Sequence, residues 1–249
     1  MIYAVVNQKG GVGKTTTSVN VAAVLARYDR RTVLVDVDPQ ANASSGLGVS
    51  GASPNMADVI LDGLPLHDIL VTTRFDELVL APGSPDLAGA AVELPPREGR
   101  GVILRDALAA IRDDFENVIL DCPPSLDLLT LNALVAADRL IVPVQCEFYA
   151  LEGLTRLMET VTAVRANLNP GLRVSGMLMT MHDPRTRISG EVIREVRQHF
   201  GDLAFQTVIP RNVRLAEAPS HGAPVVHYDP ASPGAVAYAH VAREVVQRG

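Results

Sequence analysis

The segment Lys9-Gly10-Gly11-Val12-Gly13-Lys14-Thr15-Thr16 places three glycines, two lysines and two hydroxyls in eight consecutive residues. Such a loop suits a phosphate. Glycines let successive backbone N–H groups turn inward, and a following helix adds the positive end of its dipole. Lys14 can reach β- and γ-phosphates, and the Thr15 hydroxyl can coordinate Mg²⁺. Of the 22 basic residues, only Lys9 and Lys14 are lysine, so a chain that otherwise uses arginine keeps both lysines in this one loop. Asp36-Val37-Asp38 closes one apolar run and Asp121 closes another. The carboxyl ends of strands are where open α/β sheets bind ligands. Asp38 there can orient an attacking water. Alternation along a strand turns Asp36 and Asp38 to the same side. Asp36 reads either as part of a metal shell or as a buried partner of a backbone or Thr hydroxyl group.

The elements that position these residues alternate. Ile2–Val6, Thr32–Asp38, Leu78–Ala81, Asn117–Asp121, Leu140–Val144, Val174–Met179 and Phe205–Ile209 are short apolar runs of strand length. Between them the spacing predicts helices from Thr15, over Val102–Phe115, Leu126–Ala137, Leu151–Leu168, Ile188–Phe200 and Pro233–Gln247. In the first helix, Val19, Ala22, Ala23 and Ala26 are spaced for one buried face. Strand and helix in alternation imply an α/β fold: a doubly wound, mostly parallel sheet flanked by helices, with right-handed crossovers. Pro95–Gly101 reads as a surface loop, and residues 1–249 as a single domain.

Composition narrows the classes. An apolar fraction of 47% excludes a disordered chain, and a net charge of −6 disfavours a globally basic coat protein for nucleic acid. Two cysteines, Cys122 and Cys146, are too few for a disulfide framework. Residues 185–214 hold six arginines against three acids, a local surplus of positive charge in an acidic chain.

The phosphate loop departs from the common G-x-x-x-x-G-K-[ST] pattern, since Gln8 stands at the first Gly and Lys9 precedes the paired glycines. That lysine marks the deviant Walker A ATPases. Asn7–Thr17 resembles the signature of ParA/Soj-type partition ATPases of chromosomes and plasmids, within the MinD/ParA superfamily. The resemblance continues through Val35–Asn42, Asp121–Ser125, Pro143–Gly153 and Ile209–Gly222, and so spans nearly the whole chain. Ala41 stands where the family often has Gly, and nothing is carried over for residues 50–74.

The resemblance implies an ATPase with ATP and Mg²⁺ as cofactors, slow without its partner. It assigns nucleotide binding to Lys9, Gly10, Gly11, Val12, Gly13, Lys14, Thr15 and Thr16, with Pro210 and Asn212 at the adenine. Catalysis falls to Lys9, Lys14 and Asp38, and the metal to Thr15, Asp36 and Asp121, the last resembling the Walker B acid. In the family the residue at Lys9 crosses a dimer interface to the partner subunit's phosphates, so two nucleotides are sandwiched by an ATP-dependent homodimer. Arg185 and Arg214 match the family's DNA-contacting arginines. Only eight residues precede Lys9, leaving no room for an N-terminal helix-turn-helix, so contact with double-stranded DNA is expected to be nonspecific. A ParB-type partition protein is the implied partner, and a cytoplasmic, nucleoid-associated place the implied location.

Other classes compete. A MinD-like positioning ATPase would end in an amphipathic membrane-binding helix, whereas the apolar residues of Ala237–Gly249 are small and read as a packed helix without an appended anchor. A ligase or phosphotransferase acting on a small molecule would need a substrate domain for which 249 residues leave little room. A nitrogenase-reductase relative would hold a metal cluster through two cysteines, but Cys122 and Cys146 lie outside glycine-rich loops and read as buried structural thiols.

Overall fold

A computed structural model describes residues 1–28, 30–147 and 150–248. In chain order the strands are β1 (Ile2–Val5), β2 (Thr32–Asp36), β3 (Val71–Thr72), β4 (Leu78–Ala81), β5 (Asn117–Asp121), β6 (Arg139–Gln145) and β7 (Arg173–Thr180). The helices are α1 (Lys14–Ala26), α2 (Asn42–Gly46), α3 (Met56–Asp62), α4 (Ala90–Glu93), α5 (Ile103–Ala109), α6 (Leu128–Ala136), α7 (Ala150–Asn167), α8 (Arg187–Phe200), α9 (Val213–Glu217), α10 (Val225–Tyr228) and α11 (Pro233–Gln247). One seven-stranded sheet runs β3-β4-β2-β5-β1-β6-β7, parallel throughout except for the antiparallel edge pair β3–β4.

The order explains where a site can form. β1 lies between β5 and β6, and its register pairs Val5 with Asp121 and with Ile141. The chain leaving β1 therefore emerges beside the end of β5, at the point where the winding reverses. Beyond Ile141 strand β6 loses its β1 neighbour, which is why Pro143 is tolerated inside an interior strand: no ladder bond is owed on that side. Instead Asn7 Nδ2 donates to the Pro143 carbonyl at 2.7 Å.

Each face of the sheet carries an apolar layer. α3 and α5–α8 cover one, with Ile60, Leu108, Leu134, Leu157 and Val196 buried. α1, α2 and α10–α11 cover the other, with Leu25, Ala43, Val226 and Val241 buried. α1 differs from its expected single apolar face. Lys14 and every residue from Thr17 to Ala26 are buried, because β-sheet, α10 and α11 surround it. Asn20 and Thr17 supply the polar ties: Asn20 Oδ1 accepts from Val225 N–H at 2.7 Å, and Thr17 Oγ1 lies 3.1 Å from the Tyr238 hydroxyl.

Several expected boundaries move. Phe205–Ile209 is not a strand. It runs along β7, with Phe205 N–H on Met177 O and Ile209 N–H on Met179 O, but the Glu244 carboxylate takes the N–H groups of Gln206 and Thr207 and prevents a ladder. α5 stops at Ala109 rather than Phe115 and passes into turns. α6 begins at Leu128, because Asp127 is its cap and accepts from Leu129 and Thr130 N–H. β2 ends at Asp36, so Asp38 sits two residues beyond the strand. The short α2, α3 and β3 carry too few residues for a periodic signal.

Candidate functional site

The loop between β1 and α1 takes its shape from its glycines. Gly11 and Gly13 have φ of +74° and +88°, the left-handed region that L side chains avoid. Gly13 caps α1 without a side chain, so the first N–H groups of the helix face the loop. A Cβ on Gly10 or Gly11 would meet nothing within 4 Å, so the space above the loop is open for an anion. Thr180 Oγ1, from the end of β7, donates to Val12 O at 2.8 Å and pins the loop from behind.

Its two lysines occupy different environments. Lys14 is 6% exposed, and its Nζ donates to Lys9 O at 3.3 Å. Burial pulls its ammonium below the usual lysine value, while the carboxylates of Asp121 and Asp38 act in the opposite direction. Lys9 stands at the lip of the loop, with its N–H on Asn7 Oδ1 and its Nζ 3.5 Å from Glu147 Oε2. That ion pair is largely exposed and therefore weak. Phe148 and Tyr149, next along the chain from Glu147, lie outside the described residues.

Three carboxylates converge on the loop, each differently engaged. Asp121 is fully buried, and its Oδ1 accepts from the Ser18 hydroxyl at 2.7 Å. Its Oδ2 is buried without a partner, so half of this carboxylate is unspent. Burial, then the nearby Asp36, raises its pKa to about 7, against the Ser18 and Thr15 hydroxyls, which lower it. An unpaired carboxylate oxygen beside a threonine hydroxyl at a phosphate loop fits Mg²⁺, whose other ligands there are phosphate oxygens and water. Asp36 is already engaged: Oδ2 accepts from Ser44 N–H (2.8 Å) and Oγ (2.7 Å), and Oδ1 from Asp38 N–H (3.3 Å). Gly83 packs so closely on Asp36 that a Cβ would lie 2.8 Å from its carbonyl oxygen. Asp38 is 6% exposed, and its Oδ1 accepts from Gln40 N–H at 2.9 Å. Ala41, next in the loop, holds φ +50°, which explains why glycine suits that place.

The raised carboxylates carry a pH signature. Asp36 is lifted to about 6, chiefly by burial, and Asp121 to about 7. An acid whose folded pKa exceeds its unfolded one, ordinarily near 3.8, keeps protons that the unfolded chain releases. Its contribution to stability is present below about pH 4 and is lost as pH rises through the folded values of about 6 and 7. The nucleotide-free chain should thus melt progressively lower as pH rises from about 4 to about 7, and level off above that, in thermal scans. Mg²⁺ with ADP, which favours ionised Asp121, should flatten that decline. Parallel declines with and without Mg·ADP would contradict the metal placement.

Beside the loop opens a mostly apolar cavity of about 200 Å³, lined by Gly13, Thr16, Thr180, Pro210, Asn212 and Tyr238 among others. Pro210 and Asn212 therefore share one cavity with Gly13 and Thr16 of the phosphate loop and the start of α1. The two expected DNA arginines are both ion-paired. Arg185 is bidentate on Asp183 (2.9 and 2.7 Å), and Arg214 reaches Glu217 at 2.8 Å and Asp229 at 3.2 Å. Their loops are joined at the roots, since His182 N–H bonds Ile209 O and Arg211 N–H bonds His182 O. Both thiols are buried and unpaired in disulfides, and burial raises Cys122 well above its usual value and Cys146 to about 11.

Ser18, Ser44, Thr180, Glu147 and Tyr238 are site residues that the sequence did not single out. Ser18 carried the one available signal, lying one turn into the helix that the loop opens.

Comparison with known proteins agrees with this geometry. A family model described as an AAA domain matches residues 1–174. The chain is 50% identical to the sporulation initiation inhibitor protein Soj of Bacillus subtilis, over 100% of this chain and 99% of that one. It is 52% identical to the chromosome-partitioning ATPase Soj of Thermus thermophilus (98% and 95% covered) and 47% to the chromosome partitioning protein ParA of Myxococcus xanthus (99% and 88%). Among solved structures, a cobyrinic acid a,c-diamide synthase of Mycobacterium smegmatis with bound ADP and magnesium superposes with a TM-score of 0.87 at 37% identity, covering 99% of this chain and 94% of that one. The cell division ATPase MinD of Pyrococcus furiosus gives a TM-score of 0.83 at 25% identity, with 100% and 99% covered.

Proposed function

This chain belongs to the ParA/Soj family of chromosome-partitioning ATPases, and on that premise we propose that ATP assembles it into a sandwich dimer that binds DNA nonspecifically. It is an ATPase that uses ATP and Mg²⁺. The observation that carries the finer reading is the division between the two lysines. Lys14 is buried in its own loop and supplies that loop's phosphate counter-charge. Lys9 sits at the lip, its ammonium held among the described residues by an exposed pair with Glu147. A cation so placed serves a phosphate outside its own loop, on a second subunit, where it offsets charge that grows in the transition state. Hydrolysis then depends on dimerisation.

Thr15 and Asp121 would hold Mg²⁺, which neutralises charge on the phosphates. Asp38 orients the attacking water with its second carboxylate oxygen. Asp36, engaged by Ser44, would act mainly by fixing the Asp38 backbone, a more modest part than direct ligation of the metal. Pro210 and Asn212 receive the adenine. Arg185 and Arg214, whose own side chains are exposed, contact DNA phosphates after leaving their acid partners, Asp183 for the first and Glu217 and Asp229 for the second. A ParB-type protein stimulates hydrolysis and so releases the dimer, placing the chain in the cytoplasm at the nucleoid.

Two other readings are less well supported. α11 buries Tyr238, Val241, Ala242 and Val245 against the domain, so the face a MinD-like anchor would give to lipid is already used. Among the described residues no helix is long and apolar enough to cross a membrane. A small-molecule synthase that works through a cysteine nucleophile needs a reactive thiolate, and both cysteines here are buried with raised pKa values.

DNA binding is tested by affinity across a salt series with ATP and with ADP. Each phosphate contact contributes roughly −0.9 to the slope of log affinity against log salt. Arg214→Ala should weaken binding to all sequences and, counting both subunits, flatten the ATP slope by about 1.8 while leaving dimerisation intact. Arg185→Ala should act in the same direction. Equal slopes for ATP and ADP would reject the switch, and unchanged slopes in both variants would reject these arginines. Liposomes added in a parallel arm should not sediment the chain.

A further inference from the structure

Asn212 belongs to two cavities at once. It lines the apolar space beside the phosphate loop, and it also lines the open groove that contains Arg214, Glu217 and Asp229. Its side chain is the N-cap of α9, with Oδ1 accepting from the Arg214 N–H at 3.0 Å. That bond fixes which end of the amide is spent. Nδ2, a donor, has no partner among the described residues.

Asn212 stands at a boundary in rigidity. On its N-terminal side, the chain up to Arg211 is tied to the end of β7 by two backbone hydrogen bonds through His182. On its C-terminal side, α9 is a single turn with no buried residue, and Val213 is 69% exposed. So short a helix has no cooperative stability of its own and leans on its cap, on Leu215 packed against the core and on the ion pairs of Arg214 with Glu217 and Asp229. Arg214 is its second residue.

We propose that Asn212 is a positioning residue that ties occupancy of the base pocket to the placement of Arg214. A ring-nitrogen acceptor on a bound base engages Nδ2 and stops the amide from rotating. The cap bond from Oδ1 then holds α9, and with it Arg214, in one orientation. With an empty pocket the amide has only its cap bond, and the first turn of α9 opens more often. This rests on the reading that the pocket takes the adenine and that Arg214 meets DNA.

Asn212→Ser separates the two halves of the amide's work. Serine caps a helix about as well as asparagine but is too short to donate into the pocket. The measurement is amide hydrogen exchange of the monomer, without ligand, with saturating ADP and with saturating pyrophosphate, which fills the phosphate loop but brings no base. In the wild type, ADP should slow exchange of the Arg214 amide and the rest of α9 about tenfold, and pyrophosphate should not. In Asn212→Ser the ADP effect on α9 should fall below about twofold, and ADP affinity should drop roughly fivefold for one lost hydrogen bond. Equal slowing of α9 in both proteins, or equal slowing by pyrophosphate, would overturn the coupling. If ADP slows exchange over Thr180–His182 but not in wild-type α9, the coupling fails while the base pocket stands. No slowing over Thr180–His182 in the wild type would reject the base pocket itself, and an unaltered salt slope in Arg214→Ala would reject its DNA contact.

Discussion

Lys14→Ala is expected to abolish nucleotide binding. Lys14 is buried in the loop that wraps the phosphates, and no other cation of the same subunit enters that loop among the described residues, since Lys9 is turned outward to Glu147. Its removal deletes charge-assisted hydrogen bonds to the phosphates and leaves Asp121 and Asp38 facing them with their negative charge unopposed. Loss of a desolvated charge pair costs about 3 kcal/mol or more, which is over a hundredfold in affinity. Titration calorimetry with Mg·ADP measures it. Affinity within a few-fold of wild type, in a variant whose circular dichroism is native, would contradict the placement of Lys14.

Asp38→Ala separates binding from turnover. Asp38 follows β2 at the sheet's carboxyl edge; Asp36 accepts its N–H and its own Oδ1 accepts from Gln40 N–H, so its carboxylate is kept near Lys14. Its role in orienting water is made only at the chemical step, so ATP and Mg²⁺ should still bind. Loss of a positioned carboxylate that assists proton transfer lowers turnover by roughly 10²–10⁴-fold. ATP should therefore persist and the dimer with it. Gel filtration with ATP should show a long-lived dimer, with phosphate release near background. An Asp38→Ala monomer in the presence of ATP would remove the support for this role.

The legibility of the site depends on how local each determinant is. The loop, its lysines and Asp121 were legible because glycine conformations, charge and strand ends are written in a few adjacent residues. Ser18 was not, because its partner Asp121 lies 103 residues away and only the β1–β5 pairing brings them together. Thr180 is hidden for the same reason, its partner Val12 lying 168 residues away, whereas Ser44 lies only eight residues from Asp36 but across a turn that no periodic pattern announces. Tyr238 reaches the cavity beside the phosphate loop because α11 folds back over α1, which no local pattern in Pro233–Gln247 announces. The strand expected over Phe205–Ile209 had the right residue types and lost its ladder to one carboxylate on α11. Asp36 and Asp38 alternate in sequence, but alternation ceases to place side chains once β2 ends at Asp36. Ala41 shows the converse: a departure from the family's glycine that the backbone accommodates at φ +50°.

The central claim is that Lys9 acts on a second subunit. Sedimentation equilibrium with a slowly hydrolysed ATP analogue, on the wild type and on Lys9→Ala, tests it most directly, with nucleotide affinity of the monomer measured alongside. Lys9 lies outside the buried part of its own loop, so Lys9→Ala should bind nucleotide as a monomer within about twofold of wild type. It should fail to dimerise at concentrations where the wild type is fully dimeric, because its target phosphates belong to the partner subunit. A Lys9→Ala chain that dimerises normally with the analogue, or one that loses nucleotide binding as a monomer, would contradict the account.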